Sequence, residues 1–203
     1  MRCLDESFVP CLEGHDLDEL ERYAGAVYAL RPDFRLAYMN PAWFRFAKDN
    51  GGEPDISSRW PLGAPVMPAI SAALRSFYEI KFRTCLERGE PWVHDYECSS
   101  AGVYRRFRQT TYPLKEGCGL LIKNSLAIET VHNPRDRSPK PAAGKKYRDE
   151  NGAISQCAHC RRVMDPAGLE RWDWVPAWVE RPPGEIAFVL CGDCRQRYAV
   201  DGP

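Results

Sequence analysis

Two Cys-x-x-Cys pairs, Cys157-Ala158-His159-Cys160 and Cys191-Gly192-Asp193-Cys194, restrict what this chain can fold into more than any other feature. A Cys-x-x-Cys turn places two sulfurs close enough to share one ion, and its backbone amides can donate to the thiolates. Two such turns supply four soft ligands and close a tetrahedral shell, so the spacing predicts one structural Zn2+ held by Cys157, Cys160, Cys191 and Cys194. His159 lies between two of these cysteines and can replace one as ligand, although a residue inside such a turn more often points outward. Iron–sulfur ligation and a redox dithiol stand as alternatives. The dithiol requires a buried strand before the motif and a long helix after it, and neither pair shows that context. Zinc acting as a Lewis acid needs an open coordination position, which four cysteines do not leave.

The segment between the pairs is longer than the usual ribbon spacing. It holds Trp172-Asp173-Trp174-Val175-Pro176-Ala177-Trp178 and then a strand-like run over 185–190. A module of this size has little core of its own, and metal binding supplies the missing folding free energy. The tryptophans are expected to form its small apolar core or to dock it onto the rest of the chain.

The start, Met1-Arg2-Cys3-Leu4-Asp5-Glu6, lacks the apolar stretch of a secretory signal, and no apolar run is long enough to span a bilayer. The chain is therefore expected in the cytoplasm, where its nine cysteines point to metal or redox chemistry rather than to disulfides. Basic and acidic residues balance at 28 each. The arginines of the cysteine-rich half (Arg161, Arg162, Arg171, Arg195, Arg197) are offset by acidic neighbours, so neither nucleic acid nor a membrane surface is an expected partner.

Ahead of the cysteine pairs, Asp16 and Glu19 read as the capping box of a helix with Leu17 and Leu20 on its apolar face. Strands at 26–30 and 35–39 flank Arg31-Pro32-Asp33 as a hairpin. Asn40-Pro41 ends the second strand and opens a short helix that stops at Asn50-Gly51-Gly52. The stretch 53–68, rich in Pro, Gly and Ser, reads as a loop. A helix follows over 69–88, with Ile70, Leu74, Phe77 and Cys85 at helical spacing. Three consecutive strands come next, at 92–98, 104–114 and 120–126. Up to Leu12 no period is visible. The order fits an α+β domain, an antiparallel sheet with helices on one face, followed by a small zinc-ribbon-like module.

The run Ala24-Gly25-Ala26-Val27-Tyr28-Ala29-Leu30 … Tyr38-Met39-Asn40-Pro41-Ala42-Trp43 resembles the opening of a PAS domain, where a hairpin leads through an Asn-Pro-x-aromatic step into a short helix. Tyr104-Arg105-Arg106-Phe107-Arg108 … Tyr112-Pro113-Leu114 is similar to that family's penultimate strand. The stretch Cys157-x-x-Cys160-Arg161-Arg162 … Trp172 … Cys191-x-x-Cys194 resembles a cysteine-rich module that follows PAS domains in some bacterial signalling proteins, with Gly192 where that module commonly has Pro. The resemblance implies an N-terminal extension at 1–15, a PAS-like sensor domain at 16–129, a linker at 130–152 and a zinc module at 153–203. The linker is expected to be exposed and partly extended.

No GxSxG, GxxxxGK[ST], HExxH or GxGxxG occurs, and the phosphoacceptor and ATP-binding parts of a histidine kinase are missing from the sequence. The chain thus reads as non-enzymatic, acting on a protein partner (a kinase or regulator in trans). One face of the helix at Asp16 exceeds what a small sheet needs and is the candidate contact of a homodimer, and the PAS ligand is undefined. The rival reading is a thiol redox switch in which the metal-site cysteines are oxidised. Among other residues, Cys85 reads as a buried inert thiol, while Cys98 and Cys118, at strand ends, are open to a redox role. His94 reads as a sheet histidine rather than a haem ligand, no cysteine has a flavin photosensor's setting, and Trp43, Phe44 and Phe46 read as core aromatics.

Overall fold

The computed structural model describes residues 2–168 and 171–199. The chain opens with β1 (Cys3–Leu4), a 3-10 helix (Glu6–Leu12), α1 (Leu17–Arg22), the strands β2 (Val27–Leu30) and β3 (Leu36–Met39), and α2 (Pro41–Asp49). Next come α3 (Asp55–Arg59), a 3-10 turn (Met67–Ala69), α4 (Ala72–Arg88), β4 (Trp92–Glu97), β5 (Val103–Pro113) and β6 (Leu120–Val131). The C-terminal part adds β7 (Ile154–Cys157), β8 (Val163–Asp165), β9 (Arg171–Asp173), α5 (Pro176–Glu180), β10 (Ile186–Val189) and α6 (Gly192–Arg197). The fold class is α+β: a six-stranded sheet in the order β1-β3-β2-β6-β5-β4, and a four-stranded sheet in the order β10-β7-β8-β9.

Packing separates two compact units, one of Met1–Ile70, Tyr78–Asp95 and Arg108–Leu126, the other of Ser71–Phe77, Tyr96–Phe107 and Ala127–Pro203. In the first, β2 pairs antiparallel with β3 and with β6, Ala29 facing Leu121. Every residue of β2 and β3 is buried, which requires cover on both faces of the sheet. One face carries α2 and α4: Trp43 meets Tyr28 edge-on at 5.1 Å, and Phe82 packs on Phe34 at 5.8 Å. On the other, Val27 and Ala29 pack with Phe8, Leu12 and Leu20.

That second layer comes from the N-terminal stretch, where no period is visible in the sequence. Phe8 and Leu12, 0% and 2% exposed, sit in a seven-residue 3-10 helix with Pro10 inside it, too short and too interrupted to show a helical period. Leu17 and Leu20 of α1 join the same cluster, so the face expected to be free for a second copy is used in the chain's own core. The stretch 53–68 also holds more structure than its composition suggests, with α3 at its centre. Phe46 is 37% exposed rather than part of the core. No described helix is long and apolar enough to cross a membrane.

Asn40 ties these layers together. Its side chain, 0% exposed, accepts from the Val27 amide at 2.9 Å and, as N-cap of α2, from the Trp43 amide at 3.1 Å. Its amide group donates to the carbonyls of Leu20 and Gly25 at 3.1 and 3.0 Å. Asn40→Ala leaves these buried backbone groups unsatisfied, and a loss of about 3 kcal/mol is expected in denaturant unfolding followed by first-unit probes. Asn40→Asp should lose at least as much, because it turns a carboxylate oxygen toward the carbonyls of Leu20, Tyr23 and Gly25 in a fully buried site.

Near the N-terminus, Asp5 accepts from Arg31 at 2.7 Å and from the Ser7 amide at 3.0 Å. The Arg31 hydrogen bond, with those from Ser7, lowers the Asp5 carboxyl to about 2. A carboxylate whose folded pKa is depressed stabilises the fold above its unfolded pKa, and that contribution fades as pH falls from about 4 toward 2. The melting temperature of Arg31→Met should therefore lie below that of the native chain at neutral pH. The two should converge near pH 2.

Candidate metal centre

The second unit is built around the ends of two strands. β10 runs parallel to β7, with Ile186 opposite Ile154 and Val189 opposite Cys157. The first cysteine turn leaves the end of β7 and the second follows β10, so pairing in this register delivers both turns to the same side. Parallel neighbours require a long crossover, and β8, β9 and α5 provide it. The long separation of the two cysteine pairs is therefore the length of that connection.

Each turn is set by local backbone bonds. In the first, the Cys157 amide donates to the Arg162 carbonyl at 2.8 Å, and the Arg161 amide to the Cys157 carbonyl at 3.0 Å. Arg161 takes φ +64°, the left-handed conformation that reverses the chain after Cys160. The Ala158 amide donates to Val189 at 2.7 Å, joining the two turns. In the second, Cys191 is the N-cap of α6 and Cys194 lies in its first turn.

The four sulfurs lie within 4.8 Å of one another, and all four residues are buried, 0% to 6% exposed. Cys160 Sγ and Cys191 Sγ are 3.7 Å apart, and the Cys191 amide donates to Cys157 Sγ at 3.5 Å. The edge of a tetrahedron with metal–sulfur bonds near 2.3 Å is about 3.8 Å. The spacing thus matches a shared ion and is far from the ~2.05 Å of a disulfide. Hydrogen bonds from Cys160, Cys191 and Cys194, that of Cys160 the largest, pull the Cys157 thiol far below the ordinary range. The Cys160 thiol, beside Cys157, is pushed up. Four buried sulfurs at this spacing fit a cation at their centre, and the cluster can hold a metal ion. Trp172 and Leu190 pack against it.

His159 does not join the four sulfurs and does not point outward. It is 7% exposed, with Nδ1 2.7 Å from the Tyr198 hydroxyl. Its signal was hidden because Tyr198 lies beyond the second pair. Trp178 packs with Tyr147, Ile154, Val163 and Val175 in the unit's apolar core. The stretch 130–152 also contributes buried groups. Tyr147, 1% exposed, donates to Asp173 at 3.0 Å, and Arg137 is 7% exposed with Nη2 2.6 Å from Glu97. Elsewhere, Cys85 is 3% exposed and donates to the Thr111 carbonyl at 3.7 Å, and His94 stacks on Trp92 within β4 at 5.4 Å.

No protein-family model and no curated protein matches the chain. Solved structures do. The PAS domain of Bordetella pertussis BvgS is 19% identical, with 54% of this chain and 81% of that one covered at a TM-score of 0.40. A domain of an HTR-like protein from Haloarcula marismortui is 11% identical, with 52% and 100% covered at 0.38. The PAS domain of nitrogen regulation protein NR(II) from Vibrio parahaemolyticus is 12% identical, with 55% and 99% covered at 0.32.

Proposed function

We propose that the chain is a non-catalytic signalling or regulatory protein, in which a PAS-like domain at 16–129 senses or docks and a zinc-stabilised module at 153–203 completes the surface read by a protein partner. The observation that carries this reading is the closed set of four buried sulfurs, Cys157, Cys160, Cys191 and Cys194. Zinc is the metal suited to a four-thiolate shell without redox chemistry. It would supply folding energy and hold the two turns together. With four protein ligands the shell keeps no place for substrate, and burial of every sulfur limits access of oxidants to it.

The sensing half of the proposal has its own support. The Asn40-Pro41-Ala42-Trp43 step joins the β2–β3 hairpin to α2, and within that unit Trp43 Nε1 is buried with no hydrogen-bond partner among the described residues. An unpaired indole donor beside Tyr28 suits a ligand with an acceptor group.

Native mass spectrometry with alkylation tests the proposal. The full chain should carry one zinc, with these four cysteines blocked only after a chelator is added. Immediate alkylation of all four in the metal-loaded chain would refute it.

A further inference from the structure

Two cysteines outside the four-sulfur cluster, 107 positions apart in sequence, meet in the first unit. Cys11 lies in the 3-10 helix Glu6–Leu12, and Cys118 in the turn between β5 and β6. The Cys11 thiol reaches the Cys118 carbonyl oxygen at 3.7 Å, which brings the two cysteines side by side. Both are half-buried against the cluster that contains Phe8, Leu12 and Leu114.

The backbone on each side is firmly placed. A Cβ at Gly119 would lie 2.3 Å from the Leu30 carbonyl oxygen and 2.9 Å from Phe8 Cζ, so the turn approaches the 3-10 helix as closely as glycine allows. The two sulfurs also differ in setting. The Arg31 guanidinium is within electrostatic range of Cys11 and is itself held by Asp5 at 2.7 Å and Ser7 at 2.6 Å. Burial, with Cys11 beside it, pushes the Cys118 thiol up to about 11.

We propose that Cys11 and Cys118 form a reversible dithiol–disulfide pair, a modification site separate from the four-sulfur cluster. The oxidant is a hydroperoxide. Its outer oxygen passes to the Cys11 sulfur as the O–O bond breaks, giving a sulfenic acid and releasing one water from hydrogen peroxide. Cys118 sulfur then attacks Cys11 sulfur. The S–S bond forms, the S–O bond breaks, and the hydroxyl leaves as a second water with the Cys118 proton. Two thiols lose two electrons and one peroxide gains them, and a small dithiol reverses the change. The bond fastens the N-terminal layer to the β5–β6 turn, so the stability of the first unit becomes redox-dependent.

The test uses the full, metal-loaded chain. After treatment with hydrogen peroxide, free thiols are blocked with iodoacetamide and the chain is digested without reductant for mass spectrometry. The expected product is a peptide pair joined through Cys11 and Cys118, two hydrogens lighter than its separated parts and lost on addition of dithiothreitol. The melting temperature should rise by about 5 °C or more, with metal content unchanged. Cys11→Ser and Cys118→Ser should each abolish the linked pair and the rise. Recovery of both cysteines singly alkylated, of over-oxidised Cys11 with free Cys118, or of either mainly linked to another cysteine would overturn the proposal.

Discussion

Replacing Cys191 with serine is expected to unfold the four-stranded sheet β10-β7-β8-β9 rather than merely loosen it. Structural zinc contributes about 10–16 kcal/mol to the folding of small zinc modules. Serine offers a hard, weakly acidic oxygen in place of one thiolate, and the other three sulfurs are left in a site no more than 6% exposed. Partial solvation cannot rescue such a site, so a loss of more than about 3 kcal/mol is expected. Hydrogen exchange reports it directly. The Ala158 amide, bonded to Val189 across the two turns, should lose protection together with the Cys157 amide. Chelation of the native chain should reproduce the pattern. Cys98→Ser, at an exposed thiol that is not one of the four clustered cysteines, should stay within about 0.5 kcal/mol of the native chain.

The second large effect lies in the same unit and does not involve the metal. Arg137 and Glu97 form an ion pair whose side chains are each 8% exposed, with Nη2 and Oε2 2.6 Å apart. The Arg137 guanidinium also covers the Trp174 ring at 4.7 Å and the Tyr104 ring at 5.6 Å. Glu97→Leu removes the only carboxylate paired with this cation among the described residues and leaves a buried charge. Breaking such a pair costs about 3–5 kcal/mol. Arg137 Nη1 already has no hydrogen-bond partner among the described residues, which places the expected loss toward the lower end. Combining Glu97→Leu with Arg137→Met replaces the pair with apolar groups of similar length and should recover most of the loss. A double-mutant cycle should then give a coupling above about 2 kcal/mol. Additive single effects would mean that the pair contributes nothing as a pair.

What the sequence made legible follows from how local each determinant is. Asp16 caps α1 through the amides of Asp18 and Glu19, and Asn40-Pro41 starts α2; both are decided within a few residues. The four cysteines were legible because two short turns of fixed spacing announce themselves. The crossover between them was not, because a parallel β7–β10 pair is a long-range choice that no local pattern records. Arg137 and Tyr147 escaped for a related reason. Each is a single buried side chain in a Pro- and charge-rich stretch, and their partners Glu97 and Asp173 lie far away in sequence. Phe8 and Leu12 gave no readable period because their 3-10 helix is seven residues long and carries Pro10 within it.

The central claim is a closed, four-sulfur zinc shell that stabilises the fold and takes no part in catalysis. X-ray absorption at the zinc edge of the purified full chain tests it most directly. The account predicts one zinc per chain with four sulfur neighbours at about 2.3 Å and no lighter atom in the shell. Nitrogen or oxygen scatterers at about 2.0 Å, or a chain without zinc, would contradict it.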